Sequence, residues 1–315
     1  MQTKTVVIIG GGFAGAQLAK QLERKLPEEW VIRLLSRDNF ITYNPLLPEV
    51  VGASLLPGHV VAPLRQITKR TIVSMVQVTD VDLESRTVHY LGEGPGIVHY
   101  DHLVIACGQG VNLGIIKGMA RYALPLKTLG DSLFLRNRAI VRLEQAELQP
   151  DEELRRWLTT FVVIGGGFSG VEVAGELADF LRASRRFYRS IDSVRVQLIH
   201  SGDRLLPELS ASLGQFAQRK MMERGIDVRL NARASRVDAR CVYLADGDAI
   251  AAGTIICTIG IAPNPLVEML PIPKNRGRIE VGGDMRVVGM SEVWALGDCA
   301  AVPNAADAKL SPPTA

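Results

Sequence analysis

The chain has 315 residues, of which 47% are hydrophobic and 22% charged, with a formal net charge of +3. That length allows two domains of ordinary size, and so weak and dispersed a positive charge gives no reason to expect a nucleic-acid partner. Aromatic residues make up only 5%, so the cores must rest on Val, Ile, Leu and Ala, a bias that suits parallel strands covered by helices.

Thr5 to Ile9 reads as an apolar, β-branched strand running straight into a glycine turn, which is not the pattern of a secretion signal. No apolar run approaches about 18 residues, so no membrane span is expected. Gly10, Gly12 and Gly15 form the turn, and Ala14, Leu18, Leu22 and Leu26 then fall at helical spacing. In this arrangement the first glycine permits the tight turn and the second lets a pyrophosphate approach the backbone. The third allows the helix to pack closely on the strand. Phosphate charge then sits against the positive end of the helix dipole. The strand Trp30 to Leu35 ends at Ser36, where an adenosine ribose usually meets an acidic side chain. Arg37, Asp38 or the serine hydroxyl must serve instead.

The same device recurs at Phe161 to Gly170, where Gly165, Gly167 and Gly170 repeat Gly10, Gly12 and Gly15. Val171, Ala174, Ala178 and Leu181 continue it as an amphipathic helix. One such turn is a weak signal, but two, each between a strand and a helix, imply two bound dinucleotides. Which dinucleotide occupies which turn stays open at this level. Val194 to Ile199 ends at His200, again not acidic, and His200 with Arg204 leaves NADH against NADPH open. Val293 to Cys299 reads as a short buried strand ending in Gly-Asp, and the Asp298 carboxylate can accept hydrogen bonds from a polyol such as the ribityl chain of FAD. Cys107, Cys241, Cys257 and Cys299 form no CxxC or CxxxxC pair, so neither a metal site nor a dithiol centre is expected. They read as reduced, mostly buried side chains of a cytosolic protein.

With both turns and the terminal Gly-Asp in place, the chain resembles the two-dinucleotide-binding flavoprotein reductases. More narrowly, it is similar to the type II NADH dehydrogenases, the single-subunit NADH:quinone oxidoreductases. The most specific stretches are Asn39 to Val51 and His59 to Arg65; Ala123 to Thr128, Gly170 to Glu176, Arg204 to Pro207 and Thr254 to Asn264 also match. Thiol-dependent relatives carry a redox-active cysteine pair where this chain has Tyr43 to Pro48, so no dithiol relay is expected there. Cys107 reads as a structural residue of a strand-end turn rather than as a flavin-flanking cysteine of sulfide:quinone reductase type.

The resemblance implies an α/β protein of two Rossmann-like three-layer domains in the glutathione-reductase-like arrangement. Residues 1–118 and 270–315 would form the FAD domain, with the NAD(P)H domain, 119–269, inserted into it. It implies FAD contacts at Gly10, Gly12, Ala14, Gly15, Ser36, Arg37, Val78, Ala106, Gly108 and Asp298. Contacts to NADH or NADPH would lie at Gly165, Gly167, Phe168, Ser169, Gly170, Glu172, His200 and Gly260. The family often carries glutamate where this chain has Ser36 and His200. The resemblance also implies a quinone acceptor and a cytoplasmic protein peripheral on the inner face of the cell membrane. A C-terminal amphipathic region beyond Ala315 would hold it there, so the chain reads as cut short. A homodimer stays open.

Glu172, in the first turn of the second helix, is the candidate functional side chain, to orient a carboxamide or move a proton. The alternative is a carboxylate that merely complements the helix dipole. His59 and Glu49 read as loop or capping residues, and Glu176, Asp179 and the run Arg182 to Arg189 as a solvated helix end and loop. Two other functions compete with quinone reduction: reduction of a ferredoxin-like or other acceptor, and a redox-sensing flavoprotein without fast turnover.

Overall fold

The computed structural model describes residues 3–304, 306, 310 and 311; Pro312 to Ala315, read above as a chain end, lie outside the described residues. In chain order the elements used below are β1 (Thr5–Ile9), α1 (Phe13–Lys25), β2 (Val31–Ser36), α2 (Leu47–Val51), β3 (Ile72–Met75) and β4 (His102–Ile105). They continue with β5 (Leu124–Pro125), α3 (Leu129–Glu147), β6 (Thr160–Ile164), α4 (Phe168–Arg185), β7 (Arg195–Ile199), β8 (Asp227–Arg229), β9 (Thr254–Cys257) and β10 (Val293–Ala295). The chain forms two compact units.

The first unit comprises Met1–Thr42, Val61–Gly110 and Ile261–Ala315. Its five-stranded parallel sheet has the order β10-β4-β1-β2-β3. Alternation along β1 divides its side chains between two faces. Val6 and Ile8 pack with Ala16 and Ala19 of α1, whereas Val7 and Ile9 join a second core with Val81, Val88 and Val98. Those three valines belong to an antiparallel meander, Gln77–Asp82, Thr87–Leu91 and Pro95–His99. The layers are therefore helix, parallel sheet and meander. Fully burying a Val or Ile side chain stabilises by about 1.5–3 kcal/mol, which is why β1 carries no polar residue after Thr5.

The second unit comprises Tyr43–Val60 and Val111–Gly260 and repeats the plan. Its parallel sheet has the order β5-β9-β6-β7-β8. Phe161 and Val163 of β6 face α3 and α4. Val162 and Ile164 face a second antiparallel meander, Ala234–Val237, Cys241–Leu244 and Ala249–Ala251. The internal repeat thus extends from the glycine turn to the whole order of strands. Against an expected inserted segment of 119–269, this unit runs from Val111 to Gly260 and also takes in Tyr43–Val60. The reason for the addition is α2, whose five residues include the buried Leu47, Pro48, Val50 and Val51 and which packs on α3 and α4.

Candidate nucleotide-binding sites

In the first unit, Gly10 turns out of β1 with φ +107°, and its N–H donates to Leu35 O at 2.8 Å. A Cβ at Gly10 would run into the Ala106 carbonyl, and one at Gly15 into the carbonyl of Gly10. Gly12 differs: nothing lies within 4 Å of where its Cβ would stand. Gly12 is also the N-cap of α1 and supplies no side-chain cap, so the first amides of the helix have no such acceptor. Gly10 and Gly15 are therefore required by the fold, whereas the space over Gly12 is left for a ligand.

The second unit reproduces this. Gly165 has φ +124° and lies against Thr258 and Ile259, each 2.6 Å from a built Cβ. A Cβ at Gly170 would meet the Gly165 carbonyl, and Gly167 again has open space. Gly167 caps α4 without a side-chain acceptor. By contrast α3 opens on a full capping box, in which Thr128 Oγ1 accepts from Asp131 N at 3.1 Å and Asp131 Oδ2 accepts from Thr128 N at 2.8 Å. The chain can cap helices with side chains, yet leaves α1 and α4 uncapped in this way. A helix start without a side-chain cap, an open approach and the positive end of the dipole suit a diphosphate at both turns.

The expected residues of the first unit gather at the C-terminal ends of its parallel strands. Ser36, buried at the end of β2, has its Oγ 2.5 Å from where a Gly11 Cβ would stand. Ala106 backs the Gly10 turn. Gly108 has φ +64° with open space around it. Ala14 Cβ lies 3.1 Å from a Cβ built on Gly297, so the Gly297–Asp298 turn stands on the start of α1. Val78 follows the link from Val76 N to Ser36 O at 2.8 Å. Arg37 is exposed and pairs loosely with Asp38 at 3.9 Å, as surface ion pairs do.

Phe168, Ser169, Gly170 and Glu172 lie in the opening turns of α4, His200 lies just past β7, and Gly260 follows β9 with φ +90°. Gly260 O accepts from Asn112 N at 2.6 Å. Gly166 N donates to His200 Nδ1 at 3.2 Å, and burial lowers the pKa of His200 against the opposing pull of Glu208 and Asp203. The ring is therefore neutral and offers its Nε2–H. Gly166 must be glycine because a Cβ there would stand 2.7 Å from His200 Cγ. Sequence reasoning gave no role to Gly11 or Gly166; the triple glycine at both turns was the signal. Thr258 was also missed, although its Oγ1 donates to Ile164 O at 3.1 Å behind the second turn.

Glu172 is exposed as a whole, yet partial desolvation of its carboxyl raises its pKa, and the carboxylate of Glu49 raises it further. Glu49 Oε2 is buried with no hydrogen-bond partner among the described residues. Glu49 lies in the first turn of α2, while His59 sits in an exposed turn. Glu176 is not a solvated helix end: it accepts a hydrogen bond from Ser54 Oγ, and Gly52 presses against it. Asp179 does face solvent, with Arg182 at 3.4 Å and Arg224 at 3.6 Å. The Cys299 sulfur lies 3.4 Å from Ile105 O and 3.2 Å from Leu296 O, which ties its turn to the end of β4.

Two Rossmann-type units, each with a bare glycine turn under a helix that no side chain caps, define a protein of the two-nucleotide oxidoreductase class. The chain belongs to the pyridine nucleotide-disulphide oxidoreductase family, whose model matches residues 4–311. It is 32% identical to a type II NADH:quinone oxidoreductase of Mycobacterium tuberculosis, over 94% of this chain and 67% of that protein. It is 30% identical to the mitochondrial external alternative NAD(P)H-ubiquinone oxidoreductase B2 of Arabidopsis thaliana, over 95% of this chain and 54% of that one. The chain therefore spans between about half and two thirds of these relatives. The NDH2 of Plasmodium falciparum, solved in complex with NADH, shares its fold with a TM-score of 0.89 at 24% identity, covering 96% of this chain and 65% of that one.

Proposed function

We propose that the chain is an FAD-dependent oxidoreductase that oxidises NADH or NADPH and reduces a quinone. The observation that carries this reading is the pair of turns at Gly12 and Gly167, each open to a ligand at a helix start that no side chain caps. The family and its type II NADH:quinone oxidoreductase relatives give the reading its chemistry.

In this proposal the first unit is the FAD domain. Gly10, Gly12, Ala14 and Gly15 hold the diphosphate, and Asp298 accepts from ribityl hydroxyls. Ser36, Arg37 and Val78 meet the adenosine end, and Ala106 with Gly108 borders the flavin. The second unit is the NAD(P)H domain, with Gly165, Gly167, Phe168, Ser169 and Gly170 at the diphosphate, His200 at the adenosine ribose and Gly260 near the nicotinamide. Held by these residues, an FAD would supply the hydride-accepting and electron-releasing chemistry between nicotinamide and acceptor. Glu172 keeps its proton to higher pH than an ordinary glutamate and so can hold or move one where the nicotinamide end arrives. By the same resemblance the protein would be cytoplasmic and peripheral on the inner face of the cell membrane, with a homodimer as the oligomeric state to test. No helix among the described residues is long and apolar enough to cross a membrane.

The test is a visible spectrum of the purified protein before and after anaerobic NADH, followed by oxidation assays with a soluble quinone, a ferredoxin and a dye. A yellow protein that bleaches with NADH and is reoxidised by quinone is expected. A colourless protein, or a yellow one that neither NADH nor NADPH bleaches, would overturn the reading. Reoxidation by ferredoxin alone would overturn the quinone.

A further inference from the structure

Within the second unit, α3 turns an apolar line toward solvent. Ser132, Leu135, Ala139, Leu143 and Ala146 form the inner stripe of this helix and are buried. By helical spacing the opposite side carries Phe134, Val141 and the C-cap residue Leu148, one every two turns. They are 52%, 47% and 84% exposed, and Ile140 beside them is exposed too. By contrast α1 and α4 each expose one large apolar side chain, Phe13 and Phe168, both at the opening of the helix. Apolar residues scattered singly over a surface need no cause. A line that returns every two turns is the seam along which helices pair. The polar residues beside the line are held by bonds of their own. Arg136 Nη2 donates to Asn137 Oδ1 at 3.4 Å, which occupies the oxygen of Asn137 and leaves its Nδ2 to donate elsewhere. Glu144 Oε1 accepts from Tyr188 Oη at 2.8 Å. The Arg138 guanidinium lies over the Phe134 ring, 5.6 Å from its centroid.

We infer that a second copy of this chain packs its own α3 antiparallel along this line, about a two-fold axis beside Val141. In that register the positions that face each other are those about equally far from Val141 on either side. Phe134 meets Leu148 of the second copy, and Val141 meets its own counterpart. Asn137 comes opposite Glu144, so an amide donor meets a carboxylate acceptor, and Arg138 comes opposite Gln145. A two-fold contact makes each unlike pair twice. Charge sets the orientation. Arg136 and Arg138 lie in the first half of the helix and Glu144 and Glu147 in the second, while Asp131 is engaged in the capping box. Antiparallel packing brings these opposite signs together, whereas parallel packing would set Glu144 against Glu144. The helix dipoles favour the same direction. Glu144 also argues against an anionic lipid surface as the occupant, since it would press a carboxylate onto lipid phosphates. One pair of helices is small beside the ~1,600 Å² of a standard interface, so the pairing is weak, with a dissociation constant on the order of 10–100 μM. No residue of the line belongs to either glycine turn, so the pairing stands apart from the proposed function.

The experiment is sedimentation velocity of the purified chain over a concentration series, with circular dichroism as the check on folding. A monomer–dimer equilibrium is expected for the wild type. Val141→Glu sets two carboxylates at the axis and should weaken the dimer at least about tenfold. Val141 is exposed, so the fold should be kept. Asn137→Glu should weaken the dimer as well, by placing a carboxylate against Glu144 of the second copy, and adding Glu144→Lys should restore it. Within one helix these two side chains lie two turns apart, so the rescue reports the contact between copies. A wild type that stays monomeric throughout would overturn the inference, as would a dimer that Val141→Glu leaves intact, since its contact would lie elsewhere. Failure of the double variant to regain what Asn137→Glu loses would overturn the antiparallel register. Vesicles of phosphatidylglycerol test the other occupant. A monomeric chain that co-sediments with them, and that Val141→Glu releases, would assign the line to lipid instead. The readout needs no bound flavin, so a colourless protein would remove the proposed function while leaving this test intact.

Discussion

The backbone N–H of Gly166 donates to Nδ1 of His200 at 3.2 Å, so the residue just past β7 spends one ring nitrogen on the glycine turn and, in the proposed site, leaves the other for the nucleotide. An acidic residue at this place would accept from a ribose 2′-hydroxyl and repel a 2′-phosphate. A neutral imidazole does neither.

His200→Glu should therefore sharpen the choice of nucleotide. NADPH binding should weaken by about tenfold or more relative to NADH, which corresponds to about 1.4 kcal/mol. Isothermal titration of both nucleotides against wild type and variant measures it; an unchanged ratio would remove His200 from the ribose site. The pH dependence follows from the same bond. Burial depresses the His200 pKa in the fold, so its stabilising contribution is present above the unfolded value and is lost as pH falls through the folded one. His200→Asn can retain an acceptor for Gly166 without titrating. Wild type should lose more melting temperature than this variant between pH 7.5 and 5.

Gly12→Glu and Gly167→Glu should separate the two sites. The Cβ of each would stand in space with no protein atom within 4 Å, so the fold should tolerate both, while the carboxylate would take the diphosphate's place at the start of α1 or α4. Gly12→Glu should purify folded and colourless. Gly167→Glu should stay yellow but bind NADH at least about a hundredfold more weakly, or about 2.7 kcal/mol. Circular dichroism, the visible spectrum and a nucleotide titration report the three properties. Two yellow variants that bleach normally would refute the assignment of the turns.

Gly15→Ala and Gly170→Ala probe the fold instead. The added methyl would strike the carbonyl of Gly10 or Gly165 and force the helix off its strand. Overpacking of this kind costs about 1–3 kcal/mol, to be read as a lower denaturant midpoint with little change in the slope. Equal midpoints for wild type and variants would mean that the close helix–strand approach is not required.

The contrast between these glycines marks how far the residues themselves disclosed the molecule. Gly10, Gly12 and Gly15, with β-branched residues before them and a leucine stripe after, carry local patterns of strand, turn and helix, and their recurrence at Gly165 disclosed both sheets. The sites' far sides were not legible in this way. Gly11 and Gly166 are glycine because of Ser36 and His200, partners set by strand pairing rather than by spacing. Cys299 reaches Ile105 O only because β4 and β10 are neighbours, a long-range pairing that no periodicity encodes. Glu49 sits on a helix of five residues, too short to leave a helical pattern.

Glu172 and Glu49 give the last prediction. Partial desolvation raises the Glu172 pKa in the fold and the Glu49 carboxylate adds to it. A carboxyl group raised above its unfolded value binds its proton more tightly in the fold, so it favours folding at low pH, and that contribution is lost as pH rises through the folded value. Above that window Glu172 is a charge held against another carboxylate at the start of a helix. Glu172→Gln should then melt at a slightly higher temperature than wild type at pH 7.5, with the difference shrinking toward acid pH as Glu172 takes up its proton. Glu49→Gln should give the same sign, since it removes the other half of the repulsion. The double variant should gain less than the sum of the two, because each single change already relieves their shared interaction. Fully additive gains would mean that the carboxylates do not act on each other. A gain at pH 4 equal to that at pH 7.5 would mean that packing, not charge, distinguishes the variants.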